Sequence, residues 1–119
     1  MPVVDLAETT KRDLNAQLHA LPADTNATHW TVENSEGQHA LAVGLDVPIT
    51  VEINGHAGYY CAGMNKHASV TVTGNAGTGC AENIMSGEVH VRGDVSQSLA
   101  ASGHGGLVVV KGSASARAG

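Results

Sequence analysis

Two cysteines are the residues whose type and spacing most directly suggest chemistry. Cys61 and Cys80 are the chain's two cysteines, and they lie nineteen residues apart. Thiols can ligate metals, but a structural zinc site normally needs four ligands. Two interpretations of the pair remain. The thiols could lie close enough for a disulfide, or they could be small buried hydrophobic side chains. The second is favoured, because proteins in a reducing compartment rarely keep disulfides.

Seven histidines raise the question of a metal site. If the chain is written in rows of nineteen residues, His56, His67, His90 and His104 fall in four different columns. A ligand cluster needs several donors that converge on one point. The sequence therefore predicts no metal site.

Other candidate residues for catalysis or cofactor binding have simpler explanations. Residues 74–79 resemble a phosphate-binding loop, but Glu82 stands where the third glycine of the dinucleotide pattern would fall. Ser96, Ser98 and Ser102 could serve as nucleophiles, yet small residues are common throughout this part of the chain. We therefore predict no catalytic, cofactor-binding or metal-binding residue in this chain.

A nineteen-residue repeat organises the chain from about residue 49 onward. Four glycines mark it: Gly55, Gly74, Gly93 and Gly112. Valines stand four residues before each glycine, and aliphatic residues stand two before it. Side chains alternate between the two faces of a strand, so this pattern predicts one strand per repeat with its aliphatic side chains inward. The glycines are expected to allow the sharp corner that follows each strand.

Repeats of about twenty residues are typical of stacked coils. The pattern predicts an all-β fold, a single-stranded right-handed parallel β-helix with 19-residue coils. Right-handed crossovers dominate where parallel strands share a sheet. Left-handed β-helices built from hexapeptides would repeat every eighteen residues, and the helical repeat families have longer periods.

The first forty-eight residues have a different character. Thr10 begins a capping-box pattern, leucines follow at helical spacing and a proline ends the segment, which predicts a helix over residues 10–21. Residues 29–33 and 38–43 flank the turn-forming residues 34–37, which predicts a β-hairpin. Helix and hairpin together are expected to cap the first coil.

Two regions follow from these patterns: a cap over residues 1–48 and β-helix repeats over residues 49–119. The chain stops within its fourth repeat, so we expect the repeats to be incomplete at the C-terminus. Either further coils should follow, or another polypeptide covers the open coil. A second copy of this chain could do so, because an uncovered strand edge can pair with another strand.

Composition excludes several classes of function. The net charge of −5 argues against a nucleic-acid partner. The chain has no apolar run long enough to cross a membrane and no signal peptide, so we expect no membrane partner and a cytoplasmic location. An ice-binding solenoid would repeat the Thr71–Thr73 pattern on every coil, and a carbohydrate-active one would show acid clusters and aromatic platforms. Neither pattern is present.

Several segments resemble a known family. They are VEINGHAGYYCAGMN at 51–65, VTVTGNAG at 70–77, AENIMSG at 81–87 and ASGHGGL at 101–107. They are similar to the glycine-rich β-helix domain that occurs in glutamate synthase large subunits and in one subunit of formylmethanofuran dehydrogenase. The similarity is strongest to the β-helix subunit of N-methylglutamate synthase (methylamine–glutamate N-methyltransferase), and it extends over residues 1–119.

The resemblance implies a structural subunit without an active site of its own. In that family the β-helix links an amidotransferase-like part to an FMN-dependent synthase-like part, and the complex makes N-methylglutamate from methylamine and glutamate. FMN is then expected in a partner subunit. Tyr59 and Tyr60 could dock a partner or fill the first coil beneath the hairpin, and the outward strand positions are further candidate docking residues. The alternative is a β-helix subunit of a formylmethanofuran dehydrogenase or formyltransferase/hydrolase complex. The family's helix has several more coils than this chain.

Overall fold

The structure, a computed structural model, describes residues 3–21, 25, 28–38, 41–58, 61–63, 65–77, 80–81, 84, 86–94 and 105–112. These residues form one helix and six strands. In chain order the elements are β1 (Val3–Asp5), α1 (Lys11–His19), β2 (His29–Glu33), β3 (Thr50–Ile53), β4 (Ser69–Val72), β5 (Glu88–Val91) and β6 (Leu107–Val110).

All six strands belong to one parallel sheet in the order β1-β2-β3-β4-β5-β6. From β3 onward the register follows the sequence period, since Val51 pairs with Val70, Val70 with Val89, and Val89 with Val108. Backbone hydrogen bonds also join successive coils outside the strands. The Ala81 amide, for example, donates to the Cys61 carbonyl at 2.8 Å. The fold is therefore a parallel β-helix, as predicted, and its right-handed winding stays a prediction.

The core is a stack of aliphatic columns. Val51, Val70 and Val89 form one column and are fully buried. Ile53, Val72 and Val91 form the next inward column and are also fully buried. The residues between them are half-buried or exposed, which is the alternation expected for a strand with one face on the core.

The repeated glycines serve a different purpose from the one predicted. Among the four, Gly55 has a positive φ of 120°, but Gly74, Gly93 and Gly112 do not. Their constraint is close stacking, because a Cβ on Gly74 would lie 2.6 Å from the Gly55 carbonyl oxygen. The prediction that each glycine supplies an unusual backbone conformation is therefore wrong for the three later coils. In those coils glycine keeps the backbones of neighbouring corners in contact.

Alanines take up the left-handed backbone conformation instead. Ala42, Ala62 and Ala81 have φ values of 55°, 55° and 56°, and all three are fully buried. Ala62 and Ala81 lie seven residues after Gly55 and Gly74, so this second corner also repeats with the coil. A non-glycine residue in this conformation is strained. Hydrogen bonds from the Ala62 and Ala81 amides to the preceding coils hold the corner in place.

Helix α1 confirms the prediction near residues 10–21, with slightly narrower bounds. The Thr10 side chain accepts a hydrogen bond from the Asp13 amide at 3.1 Å and so caps the helix start. Leu14 and Leu18 are fully buried. These leucines anchor the helix on the core, while its other face stays exposed. No helix in the described part of the chain is long and apolar enough to cross a membrane.

The predicted β-hairpin over residues 29–33 and 38–43 is wrong. The first segment is strand β2, but it pairs in parallel with β1 on one side and with β3 on the other. Residues 41–44 form turns, and residues 39–40 lie outside the described residues. Alternating side chains suit a parallel coil strand as well as a hairpin strand, and only the parallel pairing adds β2 to the growing stack.

Strand β1 was not predicted, and it adds a layer beyond β2. The sheet thus continues across residue 48, although the division into a cap (1–48) and repeats (49–119) stays a prediction. The turn after β2 is itself a coil corner, since the Gly37 amide donates to the His56 carbonyl at 2.9 Å.

Candidate functional site

The outward side chains of β3–β6 form a continuous surface, here called the outer sheet face. One column across it is Glu52, Thr71, His90 and Val109. The next column, one position beyond the strand ends, is Asn54, Thr73, Arg92 and Lys111. Because strands in a sheet lie about 4.8 Å apart, members of a column are close neighbours. Apart from Val109, the two columns consist of polar side chains.

Two hydrogen bonds connect residues at the end of β3 to the neighbouring coils. The Asn54 amide donates from Nδ2 to Glu33 Oε1 at 2.8 Å. The Gly55 N–H donates to Thr73 Oγ1 at 2.9 Å. These contacts hold side chains of consecutive coils in one arrangement. The surface that a partner would meet is thus ordered before binding.

A second ladder runs along the corner marked by the glycines. The Asn75 N–H donates to His56 Nδ1 at 2.8 Å, and the Asp94 N–H donates to Asn75 Oδ1 at 2.8 Å. Each side chain thus satisfies the backbone of the coil above it. His56 Nδ1 must be unprotonated to accept this bond. The ladder explains why short polar residues recur at this position, and it assigns His56 a structural role.

Two other described histidines contact neighbouring loops. His67 Nδ1 donates to Asp46 Oδ1 at 3.0 Å, and His19 Nε2 donates to the Val43 carbonyl at 2.6 Å. Within the described ranges no three His, Cys, Asp or Glu residues are grouped to hold a metal ion. His104 lies outside those ranges.

Cys61 and Cys80 stack in adjacent coils as free thiols, and both are fully buried. The hydrogen bond to Cys80 raises the pKa of the Cys61 thiol well above its usual value, and burial raises it further. A raised pKa disfavours the thiolate, which is the reactive form. The interpretation of this pair as small buried side chains is confirmed.

Several candidates from the sequence lie outside the described residues. They are Tyr59, Tyr60, Glu82, Ser96, Ser98 and Ser102. The docking role of the two tyrosines stays a prediction.

The sequence analysis missed one buried polar residue, Asn65. It is fully buried, and its Nδ2 donates to the Ala68 carbonyl at 2.7 Å and to the Ser86 carbonyl at 3.1 Å. Oδ1 is buried and has no hydrogen-bond partner within the described part of the structure. The sequence did offer a sign of this role, because Asn65 stands nineteen positions before Ile84 and so takes the place of an apolar residue in the next coil. Asn65 connects its own coil to the next one.

Charged side chains are unevenly distributed along the sheet from β1 to β6. Asp5 pairs in register with Glu33 at the β1–β2 end of the sheet, whereas Arg92 and Lys111 lie at the β5–β6 end. Hydrogen bonds from Asn34 and from the Ala7 amide lower the pKa of Asp5, so this carboxylate remains charged. The Asp5–Glu33 pair thus lies at one end of the sheet, and the two cations lie at the other end, where Glu88 is also exposed.

Comparison with known proteins gives one partial relationship to report. Protein GlxC of Rhizobium meliloti (strain 1021) is 52% identical to this chain over 65 residues. The match covers 55% of this chain but only 28% of GlxC. No family model matches the chain, and no solved structure matches it. The chain is thus related to part of GlxC and spans well under half the length of that protein.

Proposed function

We propose that this chain is a non-catalytic scaffold subunit of a glutamate-synthase-like complex. The complex would be methylamine–glutamate N-methyltransferase, a cytoplasmic enzyme of methylamine metabolism that forms N-methylglutamate. In this proposal the chain links an amidotransferase-like subunit to an FMN-dependent synthase-like subunit. The flavin and the reacting groups belong to those partners.

The constant register of strands β3–β6 is the observation that carries the proposal. Each coil is joined to the next by strand pairing and by corner bonds, such as that from the Gly74 amide to the Gly55 carbonyl at 2.9 Å. Because each coil is hydrogen-bonded to the next at several positions, the coil stack resists bending and shear. Such a stack can keep two partner subunits at a fixed separation.

The outer sheet face suits a binding role because its polar side chains are already ordered. Ordered side chains lose little further conformational freedom when a partner binds. The tie between Asn54 and Glu33 and that between Gly55 and Thr73 illustrate this order. The partial relationship to GlxC and the resemblance of residues 51–65 to glutamate-synthase β-helices support the choice of complex.

A capture experiment tests the proposal. The tagged chain is incubated with native extract of the organism that makes it, and bound proteins are identified by mass spectrometry. We expect amidotransferase-like and FMN-synthase-like chains together. A Thr71→Arg variant, which places a long cation in the centre of the outer sheet face, should capture them less well.

The matched control is Ala16→Arg on the exposed side of α1, which should capture the partners as well as the wild type does. Recovery of a molybdenum or tungsten enzyme would instead favour the formylmethanofuran dehydrogenase alternative. Recovery of neither class by a folded, tagged chain would contradict the scaffold role in both complexes.

A further inference from the structure

A cleft at the β5–β6 end of the outer sheet face has a concentration of positive charge. We call it the basic cleft, and its volume is about 220 Å³. Its lining residues are Thr71, His90, Val91, Arg92, Val109 and Lys111. The lining contains no carboxylate. The cleft therefore differs in charge from the whole chain, whose net charge is −5.

Two of the chain's six lysines and arginines meet in this cleft. Arg92 follows β5 and Lys111 follows β6 at equivalent positions, because Val91 pairs with Val110 in register. Both side chains are exposed. Like charges directly across neighbouring strands repel each other. An anion bound between them would remove that repulsion.

No acidic side chain in the described part of the chain forms an ion pair with either cation. The ion pairs found there join His67 to Asp46 and His90 to Glu88. In the second pair, His90 Nε2 lies 3.8 Å from Glu88 Oε2. Thus the positive charge of Arg92 and Lys111 is available to a ligand.

We propose that the basic cleft binds a carboxylate. A guanidinium group offers paired N–H donors that match the two oxygens of a carboxylate, and the lysine ammonium adds a second charged donor. The Thr71 hydroxyl and the His90 ring stand in the neighbouring column as further polar groups. Val109 is half-buried and offers an aliphatic wall for the carbon atoms attached to the carboxylate.

The backbone favours a carboxylate over a phosphate. Phosphate sites commonly use several free backbone N–H groups. Here the Arg92 N–H donates to the Val72 carbonyl and the Lys111 N–H donates to the Val91 carbonyl, each at 2.9 Å. These groups are already occupied by the sheet, so side chains alone supply the donors. A carboxylate needs fewer donors than a phosphate.

The carboxylate could come from a small molecule or from an acidic side chain of another polypeptide. An NMR titration of the ¹⁵N-labelled protein at constant ionic strength distinguishes these sources, with succinate in one arm and a capped tetraglutamate peptide in the other. We expect saturable shifts at the amides of Arg92 and Lys111 in at least one arm. Tighter binding of succinate would indicate a small ligand, and tighter binding of the peptide would indicate a polypeptide.

Two variants test whether the basic cleft binds the carboxylate. Arg92→Gln and Lys111→Gln should each weaken binding about tenfold, since each removes one charge-assisted hydrogen bond. Both side chains are exposed, so the variants should fold, which circular dichroism checks. Lys66→Gln is the matched control, because Lys66 is an exposed lysine outside the cleft, and its affinity should equal that of the wild type.

Three outcomes would overturn the proposal: no saturable shift in either arm, equal binding by Lys66→Gln and Lys111→Gln variants, or tighter binding of inorganic phosphate than of both carboxylates. The titration uses the isolated chain, so its result does not depend on the scaffold role. A negative titration leaves the capture of partner subunits as a separate question.

Discussion

Replacing Gly74 by alanine tests why a glycine recurs in every coil. The new Cβ would lie 2.6 Å from the Gly55 carbonyl oxygen and 2.5 Å from His56 Nδ1. An ordinary contact starts at 3.4 Å, so the two coils must separate locally by about 0.8 Å. The Gly74 backbone has no positive φ, so strain of that kind does not contribute.

The expected cost has two parts. Separation would break or stretch the bond from the Gly74 amide to the Gly55 carbonyl, now 2.9 Å, and that from the Asn75 amide to His56 Nδ1, now 2.8 Å. Each hydrogen bond contributes about 0.5–1.5 kcal/mol net. Forcing a methyl group into a filled space adds about 1–3 kcal/mol. We therefore expect the free energy of unfolding to fall by about 2–6 kcal/mol.

Urea unfolding followed by the fluorescence of Trp30, the chain's one tryptophan, measures this change. Trp30 is 6% exposed and lies in β2, so its emission should shift when the stack opens. The matched control is Gly37→Ala. A Cβ there meets nothing within 4 Å, but φ is +72°, so the cost should be the backbone strain of about 1–2 kcal/mol. A smaller loss for Gly74→Ala than for Gly37→Ala would refute the close-stacking argument.

Three further substitutions or titrations probe the core and the N-terminal strand. Asn65→Ala should lower the free energy of unfolding by about 1–3 kcal/mol in urea, because the hydrogen bonds from Asn65 to the Ala68 and Ser86 carbonyls are lost. Val72→Ala should cost about 2–3 kcal/mol by the same assay, since it empties part of a fully buried column. The pKa of Asp5 is lowered in the folded state, chiefly by the hydrogen bond from Asn34. Its contribution to stability is therefore present above the ordinary pKa of 3.8 and is lost as the pH falls through the folded value, so urea midpoints should drop over that acidic range.

Each of these predictions has an internal control. Val109→Ala, on the half-buried outer sheet face, should cost less than about 1 kcal/mol, and an equal cost for Val72→Ala would contradict the assigned column. Asn34→Ala should reduce the acid sensitivity contributed by Asp5, and an unchanged pH profile would contradict that hydrogen bond. Asn65→Ala with wild-type stability would contradict a stabilising role for the two Asn65 hydrogen bonds.

Much of the fold could be predicted because equivalent positions in a stacked repeat share the same environment. The valine columns, the register of β3–β6 and the helix near Leu14 and Leu18 follow from periodicity and capping alone. The candidate site was harder to predict. The outer sheet face follows from alternation, but bringing Arg92, His90 and Lys111 into one cleft requires the stacking of β5 and β6.

The hairpin prediction failed because alternation does not specify strand direction. The alternation of side chains in residues 29–33 suits a strand of an antiparallel hairpin as well as a strand of a parallel coil. The turn-forming residues that follow therefore favoured the hairpin prediction. The structure instead pairs β2 with β3 across a twenty-one-residue offset, as between Trp30 and Val51. This offset departs from the nineteen-residue period, so the repeat itself did not reveal it.

The amino-acid sequence by itself determined the coil length and the face of each strand that is buried, because burial of aliphatic side chains depends on local alternation and on the repeat. Only the tertiary structure decided what lies between the coils. It showed that Gly74 allows close contact between neighbouring backbones and that Ala62 and Ala81 adopt the left-handed corner conformation. It also showed that the buried Asn65 side chain hydrogen-bonds two backbone carbonyls. These roles arise from distances across stacked backbones, and a linear pattern of residue types does not contain those distances.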